Sequence, residues 1–247
     1  MEKRPLAHKA FDRPYQVFFL PGSGGHFISN LIYMMLHGNV EWGKLNNQVN
    51  EYDNIGEVDN SINCCHHEMI FLVDKADGHV DNWVFERTKS RAIDMLDILA
   101  DKKVLFVDCF NCWPYIMGLA RIKNNNKANR PVEWIEQFFN RYFDKTRPNI
   151  RKLPKRQENA IRHLKWGQNY YQRNHPCHVI NYKRLFVELE TDELINLYKF
   201  VTNRIPTSSE VELLMQEIHD YHWRNVLLVQ KYIPQGSTIN DMFAYKY

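Results

Sequence analysis

Glycine and proline are scarce, ten of each among 247 residues, and no repeat or low-complexity tract gathers them. A fibrous or disordered chain is excluded on that ground, and 44% apolar with 25% charged residues is a globular composition. The five cysteines are odd in number and include the adjacent pair Cys64 and Cys65, which argues against a disulfide framework and for a reducing compartment. No stretch approaches the roughly 18 consecutive apolar residues of a membrane span. The N-terminal residues lack the apolar core of an export signal. The expectation is a soluble, cytoplasmic protein without a membrane partner. Net charge is also low, at +3.

Within this weakly charged chain one segment is strongly basic. Lys145, Arg147, Arg151, Lys152, Lys155, Arg156, Arg162, Lys165 and Arg173 stand against Glu158 alone between positions 145 and 173. Trp166, Tyr170 and Tyr171 are interleaved, as in a single-strand nucleic-acid surface. A helix with a solvated basic face is the commoner cause, so nucleic acid is not the expected partner.

The pattern predicts an α/β fold: a central parallel sheet with a P-loop-type strand-turn-helix and a helical C-terminal half, in one domain spanning residues 1–247. Tyr15 to Leu20 reads as a buried strand, and His26 to His37 as a helix stopped by Gly38. Gly38 to Ser61 reads as a long loop, and a second strand is expected within His67 to Asp74. A helix over Ser90 to Ala100 and a strand over Val104 to Val107 follow. Further helices are expected from Trp113 to Ile122, ended by the asparagine run, from Pro131 to Phe143, and from Arg156 to Tyr171. A late strand covers Cys177 to Tyr182. Helices from Thr191 to Thr202 and from a Thr207/Glu210 capping box to about Tyr232 complete the chain.

Three of the ten glycines, Gly22, Gly24 and Gly25, fall within four positions between the first strand and first helix. Backbone N–H groups there can curl around an anion at the positive end of a helix, and glycine leaves room for it. Ser23 and Ser29 could add hydroxyl donors. A Walker A loop needs a Lys after its last glycine, and none is present. The dinucleotide pattern needs a third glycine where Phe27 stands. Cys64-Cys65-His66-His67 and Cys109 with Cys112 offer soft zinc ligands, but their spacing matches no known zinc motif. Buried, reduced cysteines are expected instead, with no metal.

Pro21-Gly22-Ser23-Gly24-Gly25-His26-Phe27 resembles the 5′-phosphosulfate loop of sulfotransferases, Pro-Lys-Ser-Gly-Thr-Thr-Trp, and follows the first strand as it does in that family. Val179 to Val201 resembles the family's late strand and helix segment. The chain is thus similar to PAPS-dependent sulfotransferases, including compact phage-type members. The resemblance implies sulfonate transfer from PAPS, an anionic nucleotide donor, to a hydroxyl or amine of an unidentified acceptor. Gly22, Ser23, Gly24, Gly25, His26 and Phe27 would form the cradle. Gly22 replaces the family's loop lysine, Asp108 stands where a 3′-phosphate arginine belongs, and Ile116 where its serine belongs. Arg121, Lys123 or the basic segment would then have to supply the cations.

His66 and His67 are the candidate bases, with Lys89 and Arg87 as rivals, and His26 could serve as the absent cation when protonated. Two alternatives accompany this reading: a catalytically lapsed relative with a binding or structural role, as in a virion, that self-associates, and a P-loop nucleotide phosphotransferase with an atypical loop.

Overall fold

The computed structural model describes residues 14–20, 22–38, 62–66, 101–143 and 155–243. Four parallel strands form its sheet: β1 (Tyr15–Phe19), β2 (Ile62–His66), β3 (Lys103–Asp108) and β4 (Cys177–Asn181), in the order β2-β1-β3-β4. Val17, Phe18, Val104, Leu105, Phe106 and Val107 have no exposed surface. That is why these two strands read as continuous apolar runs rather than alternating ones. Phe18 stacks on Phe106 across the β1–β3 pair with ring centroids 5.3 Å apart.

From β1 the chain moves to one side of the sheet, to β2, and then crosses to the other side for β3 and β4. The carboxyl ends of β1 and β3 therefore flank the point where strand order reverses. In open α/β sheets the ligand crevice forms there.

Around the sheet lie seven described helices. They are α1 (Gly25–His37), α2 (Trp113–Lys127), α3 (Glu133–Phe143), α4 (Lys155–Asn174), α5 (Thr191–Thr202), α6 (Ser208–Gln230) and α7 (Ile239–Phe243). Gly38 ends α1 as expected, its N–H donating to the Met34 carbonyl at 2.9 Å. The capping box also forms at the start of α6. Glu210 N–H donates to Thr207 Oγ1 at 3.3 Å, and Thr207 N–H donates to Glu210 Oε2 at 2.8 Å.

At the amino edge of β3, Lys103 Nζ donates to the carbonyls of Phe200 and Val201, both at 2.8 Å, and to Asn203 Oδ1 at 3.0 Å. A cation is thereby placed on the negative end of α5, tying that helix to the sheet. At the other edge of the sheet, Glu193 of α5 is buried and accepts the Asn181 N–H at 2.8 Å. It also pairs with Arg184 at 3.0 Å. Arg184 belongs to a π-helical turn, Lys183–Val187, that carries the chain away from β4.

Ile62–His66 forms a strand, β2, that the sequence pattern does not announce, and His66 lies inside it. Its pairing with β1 holds a segment, INCCH, whose apolar pattern is too weak to identify a strand. The asparagine run does not end α2, which continues to Lys127. The Asn125 side-chain amide explains this: it donates to the carbonyls of Arg130 at 3.0 Å and Pro131 at 3.1 Å, holding the turn after the helix. The long loop after Gly38, the strand expected within His67 to Asp74 and the Ser90 to Ala100 helix, with Arg87 and Lys89, lie outside the described residues. The first half of the basic segment, to position 154, does so too.

Cys109 and Cys112 are buried free thiols, and Cys177 is a half-buried one. Among the described residues no group of three or more His, Cys, Asp or Glu could hold a metal. None of the described helices is long and apolar enough to cross a membrane.

His178 on β4 stacks on Phe200 with ring centroids 5.4 Å apart, and its Nε2 is buried with no hydrogen-bond partner among the described residues. Burial lowers its pKa to about 4. Between about pH 6.5 and about pH 4 the unfolded chain binds a proton that the folded chain refuses, so stability falls as pH drops through that window. The contribution reaches at most roughly 3 kcal/mol. The His178→Phe variant is expected to lose less stability than wild type between pH 7 and pH 4 in urea unfolding. Burial also lowers the His222 pKa, so part of the slope remains. An unchanged slope would remove His178 from the account.

Candidate functional site

β1 ends beneath the glycine turn. Leu20 accepts two hydrogen bonds from Ser23, one from its backbone N–H at 3.0 Å and one from its hydroxyl at 2.7 Å. Ser23 is fully buried, so its hydroxyl closes the turn. Ser29 likewise donates to the Gly25 carbonyl at 3.1 Å. Both hydroxyls that the sequence offered as ligand donors are thus used on the backbone. What the turn presents is the first-turn N–H groups of α1. The first intrahelical bond runs from Ile28 N–H to the Gly24 carbonyl at 2.9 Å, which leaves the Gly25 and His26 amides ahead of it. No side chain caps this helix start and no acid occupies its first turn. No acid within that first turn offsets its positive end.

Two glycines shape the turn for different reasons. Gly22 has φ +89°, and a Cβ there would lie 2.4 Å from the Ile116 carbonyl oxygen and 3.0 Å from the Ala120 Cβ. Gly24 has φ +73°, and a Cβ there would meet the Tyr221 hydroxyl at 2.6 Å. The turn is therefore pressed against α2 on one side and against α6 on the other.

Phe27 packs inward, stacked on Tyr221 at 4.1 Å and edge-on to Phe186 at 5.9 Å. Its ring belongs to the core, and only its backbone is available to a cradle.

Asp108 ends β3. In the parallel register Phe18 pairs with Phe106, which puts Asp108 level with Leu20, just ahead of the turn. Its Oδ1 accepts the Phe110 N–H at 3.1 Å, starting the 3-10 turn Phe110–Cys112 that leads into α2. Burial raises its pKa, opposed by the Phe110 hydrogen bond and by the charge of Lys165. Lys165 itself lies over the Phe110 ring, 5.5 Å from its centroid.

α2 carries the two candidate cations on different faces. Ile116, Ala120 and Lys123 recur at i, i+4 and i+7, one helical stripe, and Ile116 and Ala120 are the residues against Gly22. Lys123 continues that stripe one turn further, with Nζ 5.7 Å from the centre of the Tyr221 ring. Burial, with the charge of Arg224 on α6 adding to it, lowers its pKa to about 8. Arg121 points elsewhere: its guanidinium lies over the rings of Trp134 at 5.8 Å and Phe138 at 5.9 Å, on the α3 side.

Of the three candidate histidines, His66 ends β2 in register with Phe19, so its backbone reaches the same sheet edge as the turn. His26 is the second residue of α1. His67 lies outside the described residues. Tyr221 and Arg224 were missed in the sequence because they lie some two hundred residues from the glycines, in a helix whose local pattern carries no sign of a site. No family model, no curated protein and no solved structure matches the chain.

Substituting Gly22 by alanine adds a left-handed strain of about 1–2 kcal/mol to a clash with a backbone carbonyl that cannot rotate away. Gly22→Ala is expected to lower the thermal midpoint by about 5 °C or more. A variant as stable as wild type would show that the turn does not press on α2.

Proposed function

We propose that the chain is a sulfotransferase-like enzyme that moves a sulfonate group from PAPS to a hydroxyl or amine acceptor, with the turn from Gly22 to Phe27 as the donor's 5′ cradle. The observation that carries this reading is the uncapped, acid-free start of α1 behind a turn with two left-handed glycines, at the strand-order reversal of a parallel sheet. Such a start favours a tetrahedral oxyanion. A 5′-phosphosulfate fits the residues present, since the contacts available are backbone amides and no Cβ projects from Gly24 or Gly25. PAPS supplies the activated sulfonate. The Gly25 and His26 amides would hold its oxygens as charge shifts toward the leaving phosphate, and catalysis of this kind is mainly positioning and electrostatic stabilisation. His66, at the end of β2, is the candidate base for the acceptor proton. Gly22 cannot supply the cation of a loop lysine, so that charge has to come from another element.

A second reading, nucleotide phosphotransfer, is favoured by one observation. Asp108 stands level with the end of β1, and a carboxylate beside an oxyanion cradle is what a magnesium-bound nucleotide uses.

Thermal unfolding with added nucleotide separates the two. At a concentration a hundredfold above Kd, a ligand stabilises by about 2.7 kcal/mol. Millimolar PAP, the product nucleotide, is expected to raise the midpoint by several degrees, and by more than ATP with magnesium. The reverse order supports phosphotransfer. Stable self-association of a folded protein that responds to neither favours the catalytically lapsed reading.

A further inference from the structure

Lys123 is a half-buried ammonium whose charged neighbour is another cation. Among the described residues no carboxylate pairs with it, and Arg224, which acts on it electrostatically, carries the same sign. An ammonium withdrawn from water beside a like charge is costly unless an anion compensates it. Its contact is the Tyr221 ring, 5.7 Å away, and the Tyr221 hydroxyl is the group against Gly24.

Beside the turn there is thus a cation that no described carboxylate compensates, and it is relieved by an acceptor carrying negative charge.

We propose that Lys123 on α2, backed by Arg224, completes an oxyanion site at the glycine turn, pairing with a phosphate or sulfonate group seated on the Gly25 and His26 amides. The turn and Lys123 share one support, the Ile116–Ala120–Lys123 stripe, so the charge absent from position 22 is supplied by the helix that Gly22 packs against. This inference rests on the turn being an anion cradle, though not on which nucleotide brings the anion. It accounts for a loop without lysine: a side chain at position 22 would displace the α2 face that delivers Lys123.

Binding of PAP, ATP with magnesium, and inorganic phosphate and sulfate is measured by calorimetry on the full chain. The variants are Lys123→Met, Lys123→Arg and, as a surface control, Lys231→Met. Losing a charge-assisted contact is expected to weaken PAP and inorganic anions about tenfold or more in Lys123→Met. Lys123→Arg should stay within about threefold of wild type, since the charge remains, and Lys231→Met should bind as wild type does. If PAP binds Lys123→Met as tightly as wild type, the inference is overturned while the nucleotide reading stands. If inorganic anions bind through Lys123 but PAP gains nothing over them, the inference stands and the PAPS reading falls. If no anion binds wild type, both fall. Should Lys123→Met not fold, Arg224→Met replaces it, with about threefold weaker binding expected and unchanged binding overturning the proposal.

Discussion

The contact between Gly22 and α2 is the constraint from which the rest of the candidate site follows. With no side chain at position 22, the turn lies close to the Ile116 carbonyl and the Ala120 methyl. Ala120 is itself small, so both partners of the contact are reduced to allow it. A helix held this closely cannot roll without opening a gap in a close-packed core. Its orientation therefore determines which α2 side chains reach the turn. Lys123, seven residues after Ile116, falls on the near stripe, and Arg121, one residue past Ala120, is about 100° round the helix. Two cations two residues apart are assigned to different environments by that single packing event.

The sheet supplies the other half of the geometry. β1 is paired on both sides, with β2 and β3, so the turn at its carboxyl end has fixed strand ends on either flank. His66 and Asp108 occupy those flanks through backbone pairing alone. Asp108 then steers the chain into α2 through its hydrogen bond to Phe110 N–H. The carboxylate that departs from the sulfotransferase pattern is thus part of what aims the helix bearing Lys123.

Much of this was legible in order but not in space. β1, α1 with its Gly38 stop, β3 and the Thr207/Glu210 box are written in local pattern: continuous apolar strands, a left-handed glycine, a reciprocal cap. β2 was not legible, because INCCH owes its extended form to pairing with β1 and not to its own alternation. The end of α2 was misread because an asparagine run normally breaks a helix, whereas the Asn125 amide here serves the next turn. For the site, the glycine cluster announced the turn between β1 and α1, but the assignment of Ser23 to the backbone depended on burial, which sequence does not state. Lys123 and Arg121 stood equal as candidates because face selection on a helix requires knowing what the helix packs against. Tyr221 lay beyond any local rule, since only the return of α6 across the molecule brings it to Gly24.

The arrangement also bears on how a cation carried on a helix differs from one carried in the turn. A lysine inside the turn would hold its charge at the anion with or without a ligand, tethered by a flexible stem. Carried on α2 and half-buried, Lys123 has its pKa lowered to about 8 beside a like-charged neighbour, so it stays mostly protonated at neutral pH with a weaker hold on its proton, which a bound anion would strengthen. Ligand binding and protonation are then coupled: each makes the other more favourable. In a loop lysine exposed to solvent that coupling would be weak, because the ammonium is already fully charged at neutral pH. The close packing at Gly22 thereby keeps a side-chain charge out of the turn and sets Lys123 on the α2 stripe that packs against it.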